Sequence, residues 1–157
     1  MGGLFGGGKQ PQAQKTQPAG ALNIQTSVYG AAKPLIYGKN RVPVNLVHYF
    51  NFTPIAHTTQ QKTGGKGGGK STSNTTYTYK VAFVAGFGVE CLGVGTVWKN
   101  KEKHTLSSLG FTLLTGAAGQ TAWVGLPSSQ SVPYANLAAL AHPAFDLGDS
   151  PSLPNLN

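Results

Sequence analysis

The chain has 157 residues and a mass of 16.3 kDa, room for one ordinary core with extensions but not for two full domains. With 22 Gly and 10 Pro, about a fifth of it breaks regular structure, so short strands joined by turns are expected rather than a helical fold. Twelve Lys and Arg against four acids give a net charge of +8, and the single cysteine, Cys91, excludes an intramolecular disulfide and a Cys-based zinc site.

Residues 1–20 are Gly, Gln, Pro and Lys with almost nothing to bury, and read as a flexible arm. Leu22, Ile24, Thr26 and Val28 alternate with polar residues, the period-two pattern of a half-buried strand. Pro34–Tyr37 restarts as an extended run, Gly38-Lys39-Asn40 reads as a turn, and 41–52 as the returning strand. Pro43 argues for an edge or a bulge there, because it cannot donate to a ladder. Residues 53–75 are Thr-, Gln-, Lys- and Gly-rich, a flexible loop or hairpin tip, with 56–75 as its mobile part. In 76–85, Tyr77, Tyr79, Val81, Phe83 and Ala85 share one face. Ala82 and Val84 make the other face apolar, so the second half should be buried on both sides.

Residues 93–98 form a further candidate strand, followed by a charged turn at 99–103 and short candidates at 111–114 and 121–124. Only 133–142 reads as helix, being Ala/Leu-rich with Pro133 at its start and Pro143 after it.

Gly64, Gly69, Lys70 and Ser71 match the phosphate-binding loop pattern G-x-x-x-x-G-K-[ST]. That chemistry needs an apolar strand before the loop and a helix after it, so that helix N-terminal amides face the phosphates. Neither flank supplies them, and the match reads as chance in a low-complexity Gly/Lys stretch. The acids Glu90, Glu102, Asp146 and Asp149 read as solvated groups, and His48, His57, His104 and His142 have no metal-ligand spacing. Gly86-Phe87-Gly88 and Gly93-Val94-Gly95 read as bulges or bends. Trp98, Trp123, Tyr77 and Tyr79 either pack the sheet or stack on bases. Cys91 reads as a small buried residue. No catalytic set, cofactor site or metal site emerges, and the chain is expected not to be an enzyme. No apolar run reaches the roughly 20 residues of a membrane span.

Several stretches in the same order resemble the N-terminal region of bacteriophage tail-tip or baseplate hub proteins, a group that includes gene-transfer-agent relatives. They are the Gly-rich leader 1–9, the segment 22–30, the run 34–42 (Pro-Leu-Ile-Tyr-Gly-Lys-Asn-Arg-Val), 77–86 and 94–99. Where the family often has Cys-Glu-Gly-Pro, this chain has Glu90-Cys91-Leu92-Gly93, a local departure. The resemblance implies a mainly β hub domain over 21–157, barrel- or sandwich-like with one short helix, at the start of a longer chain. It also implies a homotrimeric virion protein, assembled in the host cytoplasm, that caps the tail tube and docks tail, baseplate and tape measure proteins. Host attachment and DNA ejection would follow, with loose contact between protein and DNA. The second reading is a small basic nucleic-acid-binding module built on the Lys-rich loop and exposed aromatics. With eleven Lys and only Arg41 to supply a bidentate fork, such binding would be electrostatic rather than sequence-specific.

Overall fold

The computed structural model describes residues 16–24, 32–63 and 70–157. It is mainly β, with one four-stranded and one two-stranded antiparallel sheet. Six strands follow in order: β1 Asn45–Thr63, β2 Lys70–Gly88, β3 Val97–Lys99, β4 Glu102–His104, β5 Thr112–Leu114 and β6 Ala138–Gly148. The larger sheet runs β1-β2-β6-β5 and the smaller one pairs β3 with β4. No β1–β5 pairing closes the sheet among the described residues, so the arrangement is sandwich-like rather than a barrel.

The inner half of β2 is the centre of the molecule. From Val81 to Ala85 every residue is buried, because β2 lies between β1 and β6 and has cover on both faces. Val81, Phe83, Ala85 and Phe87 face one core with Leu22, Val97, Phe111, Phe145 and Leu156. Val84 faces the other with Leu114, Trp123, Leu126, Ala139 and Ala141. A strand wet on one face would alternate; this one is continuously apolar because neither face meets water. The 1–2 kcal/mol or so that each buried aliphatic side chain contributes is thus collected on both sides of one strand.

The first core centres on aromatic rings. Phe83 meets Phe111 and Phe145 edge-on at 5.9 and 5.6 Å, while Phe111 and Phe145 stack at 5.5 Å. His142 completes the cluster edge-on to Phe111 and Phe145. Its Nδ1 accepts the Ala144 N–H at 3.0 Å, and the ring also bonds the Leu109 backbone. With both sides of the ring engaged and the ring among phenyl groups, the neutral form is the one that fits.

Several expectations need correction. The helix expected at 133–142 does not form: Tyr134 and Asn136 have positive φ, and Ala138–Gly148 is strand β6. Ala and Leu recur there because β6 lies between β2 and β5, where Ala138, Ala139 and Ala141 are wholly buried; tertiary packing outweighs helix propensity. The one helical element is a 3-10 turn at Ser128–Gln130. Pro143 is accommodated where the β2–β6 register shifts, Phe83 facing His142 but Val81 facing Phe145. Residues 121–124 are turn and coil, not strand, and Trp123 serves the second core from there. Of 93–98, only Val97 and Trp98 join a strand. Asn23 makes one isolated bridge to Ser152 while 25–28 lie outside the described residues, and 34–37 joins no strand among the described residues.

Gly116, at φ +83°, allows the second-core loop to close on β6. A Cβ there would stand 2.8 Å from the Ala138 backbone nitrogen. The last residues close the opposite face. Trp98 and Asn157 exchange backbone hydrogen bonds at 2.8 and 3.1 Å, Val44 N–H bonds the Leu156 carbonyl, and Leu156 is buried.

Two expected outcomes follow from this packing. Leu156→Ala should cost about 2–4 kcal/mol of unfolding free energy in urea titration, since the cavity opens beneath three backbone-bonded residues. A loss under about 0.5 kcal/mol would mean that the end of the chain is not part of the core. Burial pushes the His142 pKa below the ordinary imidazole value of about 6.5. The folded protein therefore binds fewer protons here than the unfolded chain. The stabilisation is full above that ordinary value and declines as pH falls through the depressed one. The melting temperature should drop between about pH 7 and pH 5, and drop less in His142→Phe; equal slopes would remove His142 as the cause.

Candidate functional site: the projecting ribbon

β1 and β2 are each 19 residues long, far longer than the sheet they belong to. β6 pairs with β2 only from Gly88 back to Tyr79. Beyond that rung, nine cross-strand pairs from Ile55↔Thr78 to Thr63↔Lys70 continue with no third strand among the described residues. At about 3.3 Å per residue the ribbon reaches about 30 Å from the sheet. The expected loop or hairpin tip at 56–75 is thus paired strand over 56–63 and 70–75; residues 64–69 lie outside the described residues, as do 1–15 of the expected flexible arm.

The root is built from aromatic packing and a bulge. The β1–β2 register shifts between Phe50 and Thr53, with Asn51 at φ 52°. Phe52 stacks on Tyr79 at 5.4 Å, and the Tyr79 hydroxyl accepts the Ala19 N–H at 3.1 Å. The segment leading from the N-terminus is therefore tied to the foot of the ribbon. Pro54 sits in β1, an edge strand among the described residues, the setting in which a residue without an N–H is tolerated.

Outward from the root the ribbon is polar on both faces. The Thr58 and Thr75 hydroxyls meet across the strands at 3.1 Å, His57 Nε2 lies 2.8 Å from the Thr78 hydroxyl, and Thr59 donates to the Asn74 carbonyl. β-Branched Thr favours extended backbone, and these side-chain pairs replace the apolar contacts that a core strand would use. Charge is as one-sided as polarity. Residues 1–89 contain no Asp or Glu, yet hold nine of the twelve cations, four of them (Lys62, Lys66, Lys70 and Lys80) within 53–80.

The residues singled out by motif do not assemble into a reactive centre. Gly64 and Gly69 lie outside the described residues; Lys70 and Ser71 open strand β2, where a phosphate-binding loop requires a helix. Glu102 Oε2 stands 3.6 Å from His104 Nε2, and Asp146 accepts its own turn's Gly148 N–H. Glu90 and Asp149 are exposed. His48 approaches Gln130, His57 is on the ribbon and His142 is in the aromatic cluster. Among the described residues no group of three metal-ligating side chains converges. Cys91 is half-buried against the first core, and burial pushes its thiol pKa up, with Glu90 adding to the rise and a Gly93 backbone hydrogen bond opposing it. Such a thiol stays protonated and unreactive at neutral pH.

The aromatics divide by role. Tyr79 and Trp123 are buried in packing. Trp98 is half-buried under Arg41 and Lys103, whose charged groups stand 4.2 and 5.0 Å from its ring centroid. Gly86 and Gly88 lie at a β2–β6 register shift, as their bulge reading expects, and a Cβ on Gly86 would meet Leu137 at 2.8 Å.

The long ribbon itself was missed by sequence reasoning, although a signal was present. Two Thr-rich runs on either side of a Gly/Lys-rich centre are strand formers flanking a turn. No family model, curated protein or solved structure matches this chain.

Because the outer ribbon contributes no buried apolar surface, it should be dispensable for folding. Replacing residues 58–75 by Asn-Gly, so that His57 and Thr76 flank a two-residue turn, should leave the melting temperature within about 4 °C of the parent. A loss of cooperative unfolding would show that the ribbon is part of the folding unit.

Proposed function

We propose that this chain is a structural assembly protein whose place, by sequence resemblance, is the tail tip or baseplate hub of a bacteriophage. The observation that carries the proposal is the root of the ribbon: about 30 Å of two-stranded ribbon leaves the sheet at Tyr79, whose hydroxyl also holds Ala19 of the segment before the sheet. A doubly covered sheet gives a stiff base, and a long extension from it gives reach toward neighbouring subunits. Extended segments of this kind bury area on a partner and offset their ordering cost there. Exposed Leu35, Tyr37 and Leu92 add apolar surface away from the ribbon for contact with other proteins.

In this reading the domain belongs to a closed ring around the tail axis, a homotrimer by the resemblance. Closed rotational symmetry lets identical chains surround an axis without growing into open fibres. Tail, baseplate and tape measure proteins would dock on the ring, and DNA would pass through it toward the host.

The test is native mass spectrometry of the full chain and of a variant lacking residues 1–20, together with peptide mapping of purified virions. The expected result is a discrete oligomer, weakened by the deletion, and peptides of this chain in the particle. A chain that stays monomeric at high concentration and is absent from virions would sink the proposal.

A further inference from the structure

We infer that the ribbon joins copies of this chain edge to edge: residues 71–78 of one copy pair antiparallel with 55–61 of the next. The inference deepens the assembly reading and rests on it for the closed ring. What it adds is the strand edge that makes the contact.

The ribbon leaves the sheet with open hydrogen-bonding capacity. From Ile55↔Thr78 outward its strands pair only with each other among the described residues. In an antiparallel pair every second residue of each strand turns its N–H and C=O away from the partner. Both long edges therefore present rows of donors and acceptors. A two-stranded hairpin standing alone is marginal in water, and needs a third strand or apolar cover. Over 56–61 and 71–76 no residue is buried, so the faces supply no cover.

These edges are also unguarded. Edges that must stay unpaired are blunted by charged side chains, by Pro or by a bulge. Residues 55–61 and 71–78 contain no Lys, Arg, Asp, Glu or Pro. The register runs without a shift from Thr53↔Lys80 outward to Thr63↔Lys70. Lys80, Pro54 and the bulge before Thr53 all stand at the root, so the protection stops where the ribbon begins.

The same composition selects a second copy as the occupant. In a chain of net charge +8, identical surfaces repel wherever they carry cations; over 55–61 and 71–78 two copies meet without opposing charge. An acidic or basic partner finds nothing there to select it. Geometry agrees, because the ribbon has two open edges and a single added strand would satisfy only one. Rotation about an axis along the ribbon sets β2 of one copy beside β1 of the next, running in opposite directions. The antiparallel ladder then continues through every copy and closes with no edge left. Thr, Ser, Asn and Gln would face one another between copies as Thr58 and Thr75 do within one, hydroxyl to hydroxyl at 3.1 Å.

The test combines native mass spectrometry with amide hydrogen exchange read residue by residue, on the full chain from dilute to concentrated solution. The chain is compared with the 58–75 replacement and with Thr58→Lys/Gln60→Lys, which returns guarding charge to the edge. Leu35→Ser/Leu92→Ser is the control, removing exposed apolar surface away from the ribbon. The inference expects an oligomer in which all amides of 55–61 and 71–78, inward and outward alike, exchange at least about tenfold more slowly than in the dilute monomer. It expects the replacement to be monomeric, the lysine variant to associate at least about tenfold more weakly, and the control to stay within about twofold. An oligomer in which every second ribbon amide stays fast would mean contact through faces or elsewhere, and overturn it. So would an oligomer that survives the replacement, or a chain monomeric at every concentration. Peptide mapping of virions separates this from the tail reading. A paired ring absent from virions keeps the inference and loses the tail, and a virion oligomer with fast ribbon amides does the reverse.

Discussion

The constraint on which the rest of this molecule depends is the double burial of β2 between Val81 and Ala85. A strand enclosed on both faces must have partners on both edges and cover above and below. β1 and β6 supply the edges; the β3–β4 hairpin, Leu22 and Leu156 cover one face, and the loop through Trp123, Leu126 and Leu137 the other. Loops of irregular conformation thus take the place of a full second sheet. Their fixed geometry depends on particular residues, such as Gly116 against the β6 backbone and Gln120, which accepts the Gly116 N–H and donates to the Pro133 carbonyl.

The same strand explains the division of the molecule into a dry half and a wet half. From Val81 inward β2 is Val, Ala, Phe and Gly; from Ser71 to Thr78 it is Thr, Ser and Asn with a single Tyr. The change falls where β6 ends, at Gly148 opposite Tyr79. Composition follows cover: when the third strand stops, burial stops with it, and the ladder continues on backbone hydrogen bonds and cross-strand hydroxyl pairs. Phe52 on Tyr79 seals that boundary, keeping water from the end of the core.

The part of the fold that was legible in the chain was the part governed by period-two patterning. The face shared by Tyr79, Val81 and Phe83, the two-sided burial of Ala82 and Val84, and the turn between the short charged strands all followed from local sequence. The misreadings have a common physical origin. Residues 138–141 are Ala and Leu because two neighbouring strands leave no room for more, and that crowding is invisible locally. The Thr-rich flanks of the Gly/Lys stretch were read through their polarity, whereas their β-branching decides the backbone. For the site, the residues of the nucleotide-loop pattern were visible but their setting, at the start of a strand rather than a helix, was not.

The antiparallel arrangement of β2 and β6 also fixes how the molecule bears load. A pull along the ribbon from its far end runs down β2 and meets the β2–β6 and inner β1–β2 ladders lengthwise. Their hydrogen bonds lie across the line of force, so they must slide and break together rather than open one at a time. A pull at right angles to the ribbon instead bends it at Asn51, where the register shift between Phe50 and Thr53 interrupts the ladder. The projection is therefore stiff along its axis and hinged across it, anchored in tension by the same residues that exclude water from the core.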